Sequence, residues 1–122
     1  MAKTILVVDD STSFRQVVSI ALKGAGYDVV EGCDGKDALT KLDGRKINLI
    51  VSDVNMPNMD GLTFVKAAKQ LPAYKFTPVI MLTTEAGEDK KAEGKAAGVR
   101  AWVVKPFQPP GLLHAVSKLV FP

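Results

Sequence analysis

Apolar and polar positions along this chain fall into two alternating patterns. Short, nearly unbroken apolar runs predict strands at Thr4 to Val8, Tyr27 to Glu31, Ile47 to Ser52, Pro78 to Leu82 and Arg100 to Val104. Such runs are expected where a parallel sheet is covered on both faces. The segments between them predict helices over Ser11 to Lys23, Gly35 to Leu42, Gly61 to Leu71, Glu88 to Ala97 and Pro110 to Phe121. In the first of these, Phe14, Val17, Val18, Ala21 and Leu22 recur at helical spacing and give one apolar stripe. Strand and helix alternating five times predict an α/β fold of five βα units on a parallel sheet.

Local signals punctuate the pattern. Pro78 opens its strand, where a missing N–H costs little. Gly24 and Gly26 end the first helix, Asp34 suits the N-cap of the second, and Gly98 suits the left-handed turn closing the fourth. That fourth helix carries Gly94 in its middle, and its core-facing residues read as Ala92, Ala96 and Ala97. Glycine in a helix interior costs about 1 kcal/mol relative to alanine, so a loosely held helix is expected.

The strand ends carry the chemistry. Ile5 to Val8 stops on Asp9-Asp10, Leu49 to Ser52 on Asp53, Val79 to Leu82 on Thr83, and Ala101 to Val104 on Lys105. Open parallel sheets bind ligands outside the carboxyl ends of their strands. Singly, each residue would be an ordinary helix cap or a solvated charge. Together they predict an acidic pocket with one lysine and one hydroxyl. Two carboxylates ~4 Å apart repel by about 4 kcal/mol at an effective dielectric near 20, so the pocket calls for cations. Mg²⁺ suits it, with Mn²⁺ as a substitute, because a hard ion is commonly held by one or two carboxylates plus phosphate oxygens. Those parts suit phosphoryl transfer with a carboxylate as nucleophile. Asp53 stands alone at the end of the central third strand and is the candidate acceptor. Asp9 and Asp10 are candidate metal ligands.

A length of 122 residues, 47% hydrophobic and 24% charged, fits one globular domain spanning 1–122. No run approaches the ~18 to 20 apolar residues of a membrane span, and no signal peptide precedes the first strand. A cytoplasmic protein is expected, with no membrane partner. The single cysteine, Cys33, has no partner for a disulfide or thiolate metal site and reads as a buried or half-buried bystander. The net charge of +3 comes from basic residues mixed with acids, as in Glu88-Asp89-Lys90-Lys91, without aromatic interleaving. Nucleic-acid binding is not expected.

Four motifs in order bring in a family. Val7-Val8-Asp9-Asp10-Ser11, Ser52 to Gly61 (Ser-Asp-Val-Asn-Met-Pro-Asn-Met-Asp-Gly), Met81-Leu82-Thr83-Thr84 and Val104-Lys105-Pro106-Phe107 resemble the receiver domains of two-component response regulators, most closely the stand-alone chemotaxis type. The resemblance covers essentially the whole chain. It implies a flavodoxin-like (βα)5 three-layer sandwich with strand order 2-1-3-4-5, for which a chemotaxis receiver is a standard example.

It also implies roles. Asp53 would accept a phosphoryl group from a sensor histidine kinase. Asp10, Asp53 and the backbone carbonyl of Asn55 would hold Mg²⁺, with Asp9 acting through metal-bound water. Lys105 would pair with the phosphoryl oxygens, Thr83 would hydrogen-bond to them, and Lys105-Pro106 would be a cis peptide. Trp102 stands where the family usually has a tyrosine or phenylalanine coupled to the threonine. Asn55 and Glu85 occupy the positions that tune the lifetime of the phosphoryl group, and Thr84 is larger than the usual residue there.

The function so implied is a phosphorylation-operated switch, not an enzyme acting on a substrate pool. It assists its own phosphorylation and dephosphorylation, and no output domain is expected. Its expected partners are a sensor histidine kinase, a downstream target such as a flagellar motor switch protein, and a phosphatase; a monomer is expected. The alternatives are a phosphorelay intermediate or a small Mg²⁺-dependent aspartyl-phosphate phosphatase. Against the phosphatase, Asn55 stands where an acid would protonate the leaving group. His114 reads as a solvated surface residue, Met56 and Met59 as packing, and Pro109-Pro110 as a turn and helix start.

Overall fold

The computed structural model describes residues 3–54, 56, 59–83, 88–104 and 109–120; at 83, 88–91 and 109 it describes the backbone. Five strands, β1 (Thr4–Val8), β2 (Asp28–Gly32), β3 (Leu49–Asp53), β4 (Val79–Thr83) and β5 (Val99–Val104), alternate with five helices. The helices are α1 (Thr12–Gly24), α2 (Gly35–Lys41), α3 (Gly61–Lys69), α4 (Glu88–Ala97) and α5 (Pro109–Leu119). The strands form one sheet of order β2-β1-β3-β4-β5, all pairs parallel. This is the flavodoxin-like topology.

Strand periodicity divides the core into two layers. Ile5, Val7, Leu49, Val51, Ile80 and Leu82 face Val18 and Leu22 of α1 and Leu112 and Val116 of α5. Leu6, Val8, Ile50 and Met81 face the other way, onto Ala38 of α2 and Phe64, Val65 and Ala68 of α3. Leaving β1 the chain turns to β2, and leaving β3 it turns to β4. The crevice between the ends of β1 and β3 is therefore the topological switch point, where ligands bind in such sheets.

Several local expectations hold. The Asp34 carboxylate accepts the Asp37 N–H at 2.8 Å and caps α2. Gly98 takes φ +102° after α4. Met56 and Met59 pack against the α2–α3 layer, and His114 is exposed.

Others are corrected. The third and fourth strands each run one residue further than the apolar pattern indicates, because ladder pairing continues through Asp53↔Leu82 and Thr83↔Val104. The third helix stops at Lys69, and a short 3₁₀ turn over Pro72–Tyr74 follows. β5 begins at Val99, and a register shift sets Val79 against Val99 but Ile80 against Ala101, with Arg100 as the extra residue. Among the described side chains of α4 the buried position is Gly94; Ala92 and Ala96 are exposed and Ala97 is half-buried. Cys33 is exposed, because it follows the last residue of an edge strand. Its thiol is pushed above its ordinary value, first by shielding from water on its protein side and then by the Asp37 carboxylate.

Candidate acidic site at the strand ends

Asp9 directly follows β1, and Asp53 is the last residue of β3. The paired strands β1 and β3 run in register with Val8 opposite Ser52, so the two aspartates emerge side by side. Asp9 is 1% exposed and Asp53 8%, whereas Asp10 is open to solvent. One carboxylate oxygen from each of Asp9, Asp10 and Asp53 lies within 4.8 Å of the others. At that spacing each ionised pair repels by about 3 kcal/mol at an effective dielectric near 20. Burial of two of the three makes a bound cation the natural counterweight.

The backbone builds this pocket with hydrogen bonds. The Asp9 carboxylate accepts the Ser11 N–H at 2.9 Å, and the Ser11 hydroxyl accepts the Phe14 N–H at 3.3 Å as the N-cap of α1. Asp53 Oδ1 accepts the Val54 N–H at 2.8 Å. The Ser52 hydroxyl donates to the Asp53 carbonyl at 2.9 Å, which fixes the strand end from below.

Two residues that were given no role in the site by the sequence complete the frame. Arg15, one turn into α1, donates from Nη1 to the Asp9 carbonyl at 2.6 Å and from Nε to Glu31 of β2 at 3.0 Å. Its side chain is only 14% exposed, so the link between α1, β1 and β2 is shielded from solvent. Gly61, the first residue of α3, donates its N–H to the Val54 carbonyl at 2.7 Å. A Cβ on Gly61 would lie 2.1 Å from the Asp53 carbonyl oxygen and 2.7 Å from Cε of Met81. Only glycine allows this approach. The Asp-Gly pair Asp60-Gly61 was a readable cue, since Asp60 caps α3 by accepting the Thr63 N–H at 2.7 Å.

The three oxygens suit Mg²⁺. Octahedral ligands at ~2.1 Å sit about 3 to 4 Å from one another, so a span up to 4.8 Å accommodates one ion with a solvent molecule in its shell. Hard carboxylate oxygens without sulfur or imidazole among the described residues match that ion class.

Thr83 closes β4, placed by its backbone beside the end of β3. Trp102 lies on β5, two residues before its end, and packs against the α2–α3 layer. Asn55, Glu85, Lys105 and Pro106 lie outside the described residues, as do Thr84 and Phe107.

An acidic cluster at the switch point of a 2-1-3-4-5 sheet fits a phosphate-handling signalling domain. The chain belongs to the response regulator receiver domain family, whose model matches residues 5–117. Protein PilG of Pseudomonas aeruginosa is 38% identical over 113 residues, 93% of this chain and 84% of PilG. Chemotaxis protein CheY1 of Helicobacter pylori is 40% identical over 107 residues, 86% of each chain. Among solved structures, chemotaxis protein CheY4 of Vibrio cholerae superposes with a TM-score of 0.94 at 49% identity, covering 98% of this chain and 99% of its own.

Proposed function

We propose that this chain is a response regulator whose Asp53 accepts a phosphoryl group from the phosphohistidine of a sensor histidine kinase and whose partner preference changes in consequence. The observation that carries the reading is that Asp53 is almost buried at the end of β3, with Asp9 and Asp10 within 4.8 Å. In the transfer, an Asp53 carboxylate oxygen forms a bond to phosphorus while the phosphorus–nitrogen bond breaks, and its electron pair stays on the imidazole. Mg²⁺, or Mn²⁺ in its place, supplies charge neutralisation at the reacting oxygens.

The chain's own residues do the positioning. Asp10, Asp53 and the backbone carbonyl of Asn55 would hold the metal, with Asp9 acting through metal-bound water. Lys105 would pair with the phosphoryl oxygens, and Thr83 would hydrogen-bond to them. Trp102 passes the change to the face formed by α4, β5 and α5. Asn55 and Glu85 set how fast water removes the phosphoryl group.

Likeness to two proteins named for chemotaxis supports a role in chemotaxis signalling, with a flagellar motor switch protein as downstream target and a phosphatase that resets it. A monomer that works in the cytoplasm is part of the proposal; among the described residues no helix is long and apolar enough to cross a membrane. The test is incubation with a small acyl-phosphate donor, read by intact mass. A gain of one phosphoryl group that needs Mg²⁺ and is lost in Asp53→Asn supports the reading. Continuous turnover of phosphomonoesters, with no mass gain, would instead indicate a phosphatase.

A further inference from the structure

The edge of the sheet opposite the acidic site carries an unusual combination of groups. Phe76, in the turn before β4, is 85% exposed, the most exposed large apolar side chain among the described residues. Lys75 Nζ stands 5.6 Å from the centre of its ring. Phe76 forms the shared rim of two grooves. One, of about 240 Å³, is lined by Lys69, Lys75 and Arg100 with the small residues at the end of α4. The other, of about 260 Å³, runs past Lys46 to the starts of β3 and β4. No acidic residue lines either groove among the described residues.

From this juxtaposition we infer that the Phe76 edge is a second docking surface, which takes an acidic polypeptide segment bearing an apolar side chain. The cations on this edge are held close together. Lys69 donates to the Thr77 carbonyl, and its stem supports the Gly98 turn, where an added Cβ would lie 3.2 Å from Lys69 Cε. Burial, and then the charge of Arg100, lower the Lys69 ammonium below its ordinary value. An anionic partner relieves that repulsion. Exposed aromatic and arginine side chains are also the residue types that anchor protein interfaces, while facing charges steer the encounter. A polypeptide fits better than a nucleic acid because the one aromatic ring stands at a rim between two grooves, not in a succession of stacking platforms along a strand. The surface lies at the other end of the strands from Asp53, so the inference goes beyond the phosphorylation reading and does not rest on it.

The test is titration of the isotope-labelled full chain with a glutamate-rich peptide carrying a central leucine, followed by amide shifts. Controls are the same peptide with glycine for leucine and an oligothymidylate of equal charge. The expected result is saturable shifts confined to residues 46–48, 69–78 and 95–100 that weaken with salt. Affinity should fall about tenfold in Phe76→Ser, and again in Lys75→Glu with Arg100→Glu, with the folded spectrum retained. The glycine peptide should bind more weakly. Shifts scattered over all basic surfaces, no saturation, equal binding of the two peptides, or tighter binding of the oligothymidylate at these residues would each overturn the inference.

Discussion

A Cβ placed on Gly94 of α4 would lie 2.4 Å from Cζ2 of Trp102 on β5. The indole therefore rests on the backbone of the helix, and the glycine that weakens α4 as a helix is what lets it approach β5. Alanine at 94 gains about 1 kcal/mol of helix propensity but forces overpacking that costs typically 1–3 kcal/mol. Gly94→Ala should thus lose stability by about 1 kcal/mol in denaturant titration and move Trp102 emission. Trp102→Phe in the same chain should recover most of the loss. Equal losses in both backgrounds would show that the contact is not the cause.

The approach of Gly61 to Asp53 is tighter still. Gly61→Ala must displace the Asp53 carbonyl as well as the Met81 methyl, at a cost of about 3 kcal/mol by the overpacking scale. Phosphoryl acceptance should fall with it, because the displaced residue is the acceptor. Thermal unfolding together with intact-mass phosphorylation measures both; normal acceptance in a destabilised Gly61→Ala would separate the backbone contact from the chemistry.

Arg15 holds the carbonyl of Asp9 and so fixes the backbone from which that carboxylate leaves. Arg15→Gln removes a charge-assisted hydrogen bond worth about 1.5–3 kcal/mol to the fold, and should weaken Mg²⁺ binding several-fold by loosening Asp9. Calorimetric titration with Mg²⁺ checks this. Unchanged affinity with lowered stability would leave Arg15 a purely structural link to Glu31.

Ser19 of α1 is 3% exposed, and its hydroxyl finds no hydrogen-bond partner among the described residues. A buried unpaired polar group costs about 1–3 kcal/mol, so Ser19→Ala should stabilise the fold by about 1 kcal/mol. Denaturant midpoints decide it, and a destabilised Ser19→Ala would mean that the hydroxyl is satisfied in solution.

Asp43 is held at about 2 by the side-chain and backbone hydrogen bonds of Arg45, with guanidinium contacts of 3.0 Å to each carboxylate oxygen. Its folded value lies below the ordinary 3.8, so whatever stability the pair adds is complete above about pH 4 and lost as pH falls through about 2. Carboxyl shifts followed by NMR should titrate near 2, and Arg45→Ala should return Asp43 toward its ordinary value.

How much of this was readable follows from the kind of signal each feature leaves. The acidic ends of the first and third strands are one-dimensional facts, since each aspartate follows an apolar run, and the parallel sheet brings them together. The α4 face was misread because alanines mark a helix contact in sequence, whereas the indole reaching Gly94 comes from β5 and leaves no periodic trace. Cys33 was read as buried or half-buried for want of a partner, but it follows the last residue of an edge strand and is exposed. Arg15 looked like one more charged helix residue. Its role appears only when the Asp9 carbonyl and Glu31 stand on either side of it.

The central claim is that Asp53 is the acceptor, and chemical trapping of the phosphorylated chain tests it most directly. Borohydride reduces an aspartyl phosphate to homoserine, and peptide mapping then locates the site. Homoserine is expected at position 53 alone, formed only when Mg²⁺ and a phosphodonor are both present. Homoserine at 9 or 10, or a phosphoryl group recovered on a serine, threonine or histidine with position 53 unmodified, would contradict it.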